Sequence, residues 1–124
     1  MNKLVQILEH MQKRPCMYFG RGGDQRSLDV VEAFIMGYRF GVEGGDKTLP
    51  FTHFTRWIAA HYRVLDGPKG GFTLIREHVG GDERLAFDEF FKLLPLYARD
   101  MAELGPDGIH AHYGQVMSQL PEET

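Results

Sequence analysis

The chain has 124 residues, 43% of them hydrophobic, with a formal net charge of −3 and a pI near 6.0. That is enough apolar material for one domain around one core without covalent staples, and the acidic balance supplies no broad basic face for sequence-independent nucleic-acid binding. The only cysteine, Cys16, forms no internal disulfide, no apolar run approaches the roughly 20 residues that span a bilayer, and the start Met-Asn-Lys-Leu-Val lacks a signal-peptide core, so a cytoplasmic chain without a membrane partner is expected.

Helical spacing recurs along nearly the whole chain. Leu4, Ile7, Leu8 and Met11 fall on one stripe, and Pro15 stops that helix because the residue before a proline is pushed out of the α region. A connection over 15–26 follows. Ser27 is placed to cap the second helix, whose inward face is Leu28, Val31, Phe34, Ile35, Tyr38 and Val42, and Gly44-Gly45 ends it. A third helix is expected from about Pro50, carrying Phe54, Trp57, Ile58 and Leu65 inward.

Asp66-Gly67-Pro68-Lys69-Gly70-Gly71 is a loop by composition. The segment 72–79 has β-branched and aromatic residues that suit a strand. Phe72, Ile75 and Val79 also lie at helical spacing and no partner strand is evident, so a short helix is predicted. Asp82 caps the long fifth helix, whose apolar positions Leu85, Phe87, Phe90, Phe91, Leu94, Tyr97 and Met101 make it the central element. Pro95 removes a hydrogen bond to the Phe91 carbonyl and is expected to kink or divide this helix. Gly105-Pro106 closes it, a last helix uses Ile109, Tyr113, Val116 and Leu120, and 121–124 is a frayed tail. The fold class is therefore all-α: a compact bundle of five to six helices in a single domain over 1–124.

Two resemblances enter through particular residues. Lys13-Arg14-Pro15-Cys16-Met17-Tyr18-Phe19-Gly20 resembles the Lys-Arg-Pro-Gly-Met-Tyr-Ile-Gly run of the ATPase subunit of type II topoisomerases. That family follows the run with a helix bearing a catalytic Glu and, four residues on, a magnesium-binding Asn. Here Glu32 is followed at that spacing by Met36 and the only asparagine is Asn2, so the ATPase function is rejected. The order of Arg14 to Gly20, Ser27 to Tyr38, Gly71 to Ile75 and Ala86 to Leu94 is similar to small helical bacterial proteins of unknown activity. Some of these are similar to the immunity proteins of polymorphic or contact-dependent toxin systems. That resemblance implies a helical fold and a cognate protein partner.

Searches for catalytic patterns return little. His110-Ala111-His112 is the only close histidine pair, and residues two apart on a helix point away from each other, so no metal site is assigned. Gly20-Arg21-Gly22-Gly23-Asp24-Gln25 lacks the third glycine of a dinucleotide fingerprint, and no Gly-Lys-Ser/Thr follows any glycine group. Cys16, Ser27 and Ser118 have no histidine at a recognised spacing. No cofactor is assigned.

The connection 15–26 is longer than most helix–helix links and mixes aromatic and arginine residues, the usual anchors of protein interfaces. The leading expectation is thus a non-catalytic protein-binding domain, most concretely an immunity protein that covers or distorts a toxin. Its contacts would be Arg14, Tyr18, Arg21, Asp24 and Arg26, or an acidic face of Asp82, Glu83, Asp88 and Glu89 if the partner is a basic nuclease. One alternative is a small enzyme or ligand-binding bundle with a pocket near Cys16, Tyr18, Arg21 and His61. Another is a subunit of a homo-oligomer that places Phe87, Phe90 and Phe91 at its interface.

Overall fold

The computed structural model describes residues 3–14, 27–41 and 53–121. Within them the chain is all-helical: α1 (Lys3–Lys13), α2 (Leu28–Gly41), α3 (Phe54–Tyr62), α4 (Gly71–His78) and α5 (Glu83–Gln119). α5 is the central element and packs against each of the other helices, while α3 also packs on α4 and α1 on α2. Val42, Gly44-Gly45, Pro50 and the tail residues 122–124 lie outside the described residues.

The helical stripes read from spacing become the core. Leu4, Val5, Leu8 and Met11 of α1 are buried with Leu28, Val31 and Ile35 of α2, and Phe34 and Tyr38 pack partly buried against them. Phe54 of α3 is the aromatic hub. Its ring lies 5.1 Å from that of Tyr97, 5.6 Å from Phe72 and 5.8 Å from Phe90, so one side chain joins α3, α4 and α5. Aromatic pairs at such separations add about 0.5–1.5 kcal/mol each beyond the area they bury.

Segment 72–79 is helical, as spacing predicts, because Leu74 and Ile75 turn into the core against α3 and α5. Its first residue, Gly71, is buried so closely that an added Cβ would come within 3.0 Å of the Phe54 ring. The Gly71 N–H donates to Thr55 Oγ1 at 2.9 Å, which ties the start of α4 to α3.

Three expectations are corrected. α3 ends at Tyr62, so Leu65 lies in the following loop and is 39% exposed instead of turning inward. Leu85, in the first turn of α5, is 52% exposed, since its neighbours Ala86 and Phe87 are the residues that turn into the core. Phe87, Phe90 and Phe91 are all buried within the chain's own core, so they offer nothing to a subunit interface.

The long helix is broken at Gly105 (φ 70°, ψ 175°) and not divided at Pro95, whose backbone keeps helical dihedrals. A proline inside a helix costs about 3 kcal/mol. Here Leu93, Leu94 and Tyr97 are all essentially inaccessible on either side of it, and each full burial is worth about 1.5–3 kcal/mol. Packing outweighs the local penalty. At Gly105 the glycine adopts a conformation closed to other residues and Pro106 restarts the helix, the position where a missing N–H costs least.

Candidate functional site

The end of α3, the loop after it, α4 and the end of α5 meet around an open cleft of about 490 Å³. Such a volume falls in the range of ligand pockets. Its polar wall is Tyr62, Arg63, Lys69, Glu77 and His78. Its apolar wall is Val64, Leu65, Leu74, Leu120 and Pro121.

Helix termination builds this site. α3 ends in a six-residue cap in which the Val64 N–H donates to the Ala59 carbonyl at 3.1 Å and the Arg63 N–H to the Ala60 carbonyl at 3.2 Å. This geometry requires a left-handed residue, usually glycine, and here it is Arg63 (φ 55°, ψ 50°). The turn redirects the chain so that Arg63, Val64 and Leu65 face α4 and the end of α5. Arg63 Nη2 donates to Gln119 Oε1 at 3.2 Å. Lys69 pairs with Glu77 at 3.1 Å across the mouth, both well exposed.

In the cleft wall Tyr62 and His78 form a cluster with Glu89, which does not itself line the cleft, so that three helices contribute. The Tyr62 hydroxyl donates to Glu89 Oε2 at 2.8 Å, and His78 Nε2 lies 3.6 Å from the same oxygen. Glu89 is only 13% exposed, with Lys92 Nζ 3.8 Å from its other oxygen. The Tyr62 and His78 rings stack at 4.1 Å and 10°. Burial first, and then the hydrogen bond to the Glu89 carboxylate, raise the Tyr62 pKa well above its ordinary value, so this hydroxyl is a fixed donor. Tyr62 also meets the His61 ring, tilted at 59°, and His61 in turn stacks on Trp57, whose indole N–H donates to Asp100 Oδ2 at 2.8 Å.

A second polar cluster joins α2, α4 and α5. Arg76 reaches Asp29 Oδ1 at 2.7 Å, Glu32 Oε1 at 3.0 Å and Glu83 Oε1 at 2.7 Å. Glu83 Oε2 also accepts from Ser27 Oγ at 2.9 Å and from the Asp29 N–H at 3.1 Å, so it satisfies the start of α2 from another helix. Burial raises the Glu83 pKa, but the hydrogen bonds from Arg76, Ser27 and the Asp29 backbone outweigh it and bring the value below the ordinary one. For Arg76 burial lowers the pKa, and the Glu83 and Glu32 contacts more than reverse it. This junction is tied to itself and serves as a structural clamp.

The residues singled out from sequence are distributed differently. Tyr18, Arg21, Asp24 and Arg26, with Cys16, lie outside the described residues, and Arg14 is an exposed residue just past α1. In the acidic group, Glu83 and Glu89 are taken up by the two clusters just described. Asp82 caps α5 by accepting from the Leu85 N–H at 3.0 Å, and Asp88 sits exposed 3.7 Å from Arg84. These four carboxylates therefore do not act as one set. His61 stands in the aromatic stack, and His110 Nδ1 is 2.9 Å from Arg56 Nη1, which also lies over the Tyr113 ring. No group of metal-binding side chains occurs among the described residues, and no described helix is long and apolar enough to cross a membrane.

Sequence reading missed Tyr62, Arg63, His78 and the pairing of Glu89. The one signal available was the Gly/Pro-rich loop at 66–71, which had to turn α4 back onto α3. No family model matches the chain, and neither a curated protein nor a solved structure matches it.

Proposed function

We propose that the protein is a non-catalytic protein-binding domain and that the cleft receives a segment of its partner. The observation that carries this reading is the composition of the cleft mouth. Exposed Val64 and Leu65 stand beside Arg63 and Lys69 at an open site formed by three elements. Apolar anchors with a charged rim are the anatomy of a protein interface. In its most concrete form the partner is a bacterial toxin domain, neutralised by occlusion of its active site. That form rests on the sequence resemblance. Tyr18, Arg21, Asp24 and Arg26 lie outside the described residues and are not assigned to this cleft.

Site-specific photocrosslinking in the native cell tests the reading. A benzophenone side chain at Leu65 is expected to capture one stoichiometric protein that the same group at exposed Leu104 does not. Co-expression of that protein alone should arrest growth, and co-expression with this chain should restore it. Identical profiles from the two positions would sink the cleft as the interface. A second reading, a domain for a small ligand, is favoured by the Tyr62–Glu89–His78 cluster in the cleft wall. Its mark is a ligand-dependent rise in melting temperature with no crosslinked partner at Leu65.

A further inference from the structure

We infer that the partner segment presents one aromatic side chain, which stacks on the open face of His78, and a neighbouring carboxylate, which engages Arg63 and Lys69. This rests on the protein-binding reading and adds the chemistry of the occupant. The aromatic half of the argument comes from the ring stack. Tyr62 covers one face of the His78 ring at 4.1 Å and 10°, yet 52% of that side chain remains exposed and it lines the cleft. Among the described residues no second ring covers His78, which leaves its other face as the platform for an incoming one. The stack on Tyr62, whose hydroxyl is itself held by Glu89 at 2.8 Å, sets the plane of the ring before any partner arrives. Leu74 and Leu120 line the same cleft and supply apolar contact for a ring.

The charge half comes from the mouth. Among the described residues that line it, Arg63 and Lys69 face Glu77, an excess of one cation in a chain whose net charge is −3. Among the described residues only one guanidinium nitrogen of Arg63 has an acceptor, Gln119 Oε1, and the fork has further donors to offer. Among the described residues Lys69 is held only by an exposed pair of the kind worth about 0–1 kcal/mol, so an incoming carboxylate recruits it at little cost. A cationic segment would meet Arg63 unpaired and is rejected.

The test uses three blocked tripeptides, acetyl-Glu-Phe-Glu-amide, acetyl-Lys-Phe-Lys-amide and acetyl-Glu-Leu-Glu-amide, titrated into the full chain while the histidine ring resonances are followed by NMR. The first is expected to move the His78 ring protons upfield in a saturating manner. The leucine peptide should bind without the ring-current shift, and the lysine peptide should leave His78 unmoved. Arg63→Gln and Lys69→Gln, both at exposed positions, should each weaken the Glu-Phe-Glu peptide by about threefold, the scale of one exposed charge contact. Equal response to the acidic and basic peptides, or affinity unchanged in both variants, overturns the inference. A partner crosslinked at Leu65 together with an unmoved His78 ring overturns this inference alone. Absence of a crosslink with His78 still responding overturns the protein-binding reading alone.

Discussion

Arg63 holds a backbone conformation that costs a non-glycine residue about 1–2 kcal/mol, in a cap whose two hydrogen bonds admit no other geometry. Glycine would remove that cost while losing about 0.5–1 kcal/mol through its freer unfolded state. Arg63→Gly is therefore expected to raise stability by a net of about 0.5 kcal/mol, since the bond to Gln119 is exposed and contributes little. Urea unfolding checks this, as a higher midpoint at unchanged slope. The same variant should also weaken the cleft's binding of an acidic peptide by about threefold, as expected for loss of one exposed charge contact. A residue that lowers stability where it stands and raises binding is the expected signature of a functional side chain on a strained turn.

At the scale of elements, α5 shows two prolines with opposite outcomes. Pro95 stays in the helix because Leu93, Leu94 and Tyr97 are buried around it, whereas at Pro106 the helix is interrupted at the preceding Gly105. The Gly105 dihedrals fall in a region essentially closed to side chains, although a Cβ there would meet nothing within 4 Å. The restriction is thus one of backbone and not of space. Gly105→Ala should destabilise by about 1–3 kcal/mol, read as a lower denaturation midpoint with the amplitude of the helical signal retained. Ile109 and Val116, past the break, are both buried, so the second segment is docked by side chains and the break redirects the chain without ending the core.

Over the whole molecule, the Arg76–Glu83 clamp links elements far apart in sequence, and acid should loosen it. The Glu83 pKa is lowered in the folded chain, so its stabilisation is full above the ordinary carboxyl value of 4.5 and is lost as pH falls through the lowered value. Glu83→Gln is expected to remove that part of the acid dependence, and comparison of thermal midpoints of the two proteins from pH 7 down into the acid range checks it. The variant should lie below the parent at neutral pH and converge with it in acid. A constant gap between the two at every pH would show that Glu83 acts through packing and not through its charge.

The helical class, the N-caps at Ser27 and Asp82, the interruption at Gly105-Pro106 and most of the buried face of each helix were legible in the sequence. Each depends on contacts within about four residues: apolar spacing, a side chain that satisfies a nearby N–H, a glycine free to take positive φ. The burial of Leu65 was misjudged with the end of its helix, and that of Leu85 despite a correct helix start, because spacing gives the face of a helix and not how far a neighbour covers it. The cleft had no such local sign. Tyr62, His78 and Glu89 come from three helices, and neither the stack of two rings nor the sharing of one carboxylate leaves a trace at any fixed spacing. Periodicity and capping are local, so a helical chain with one aromatic core can be read from the residues in order. Which polar groups converge depends on how α3, α4 and α5 cross, and that is set by packing between residues distant in the chain.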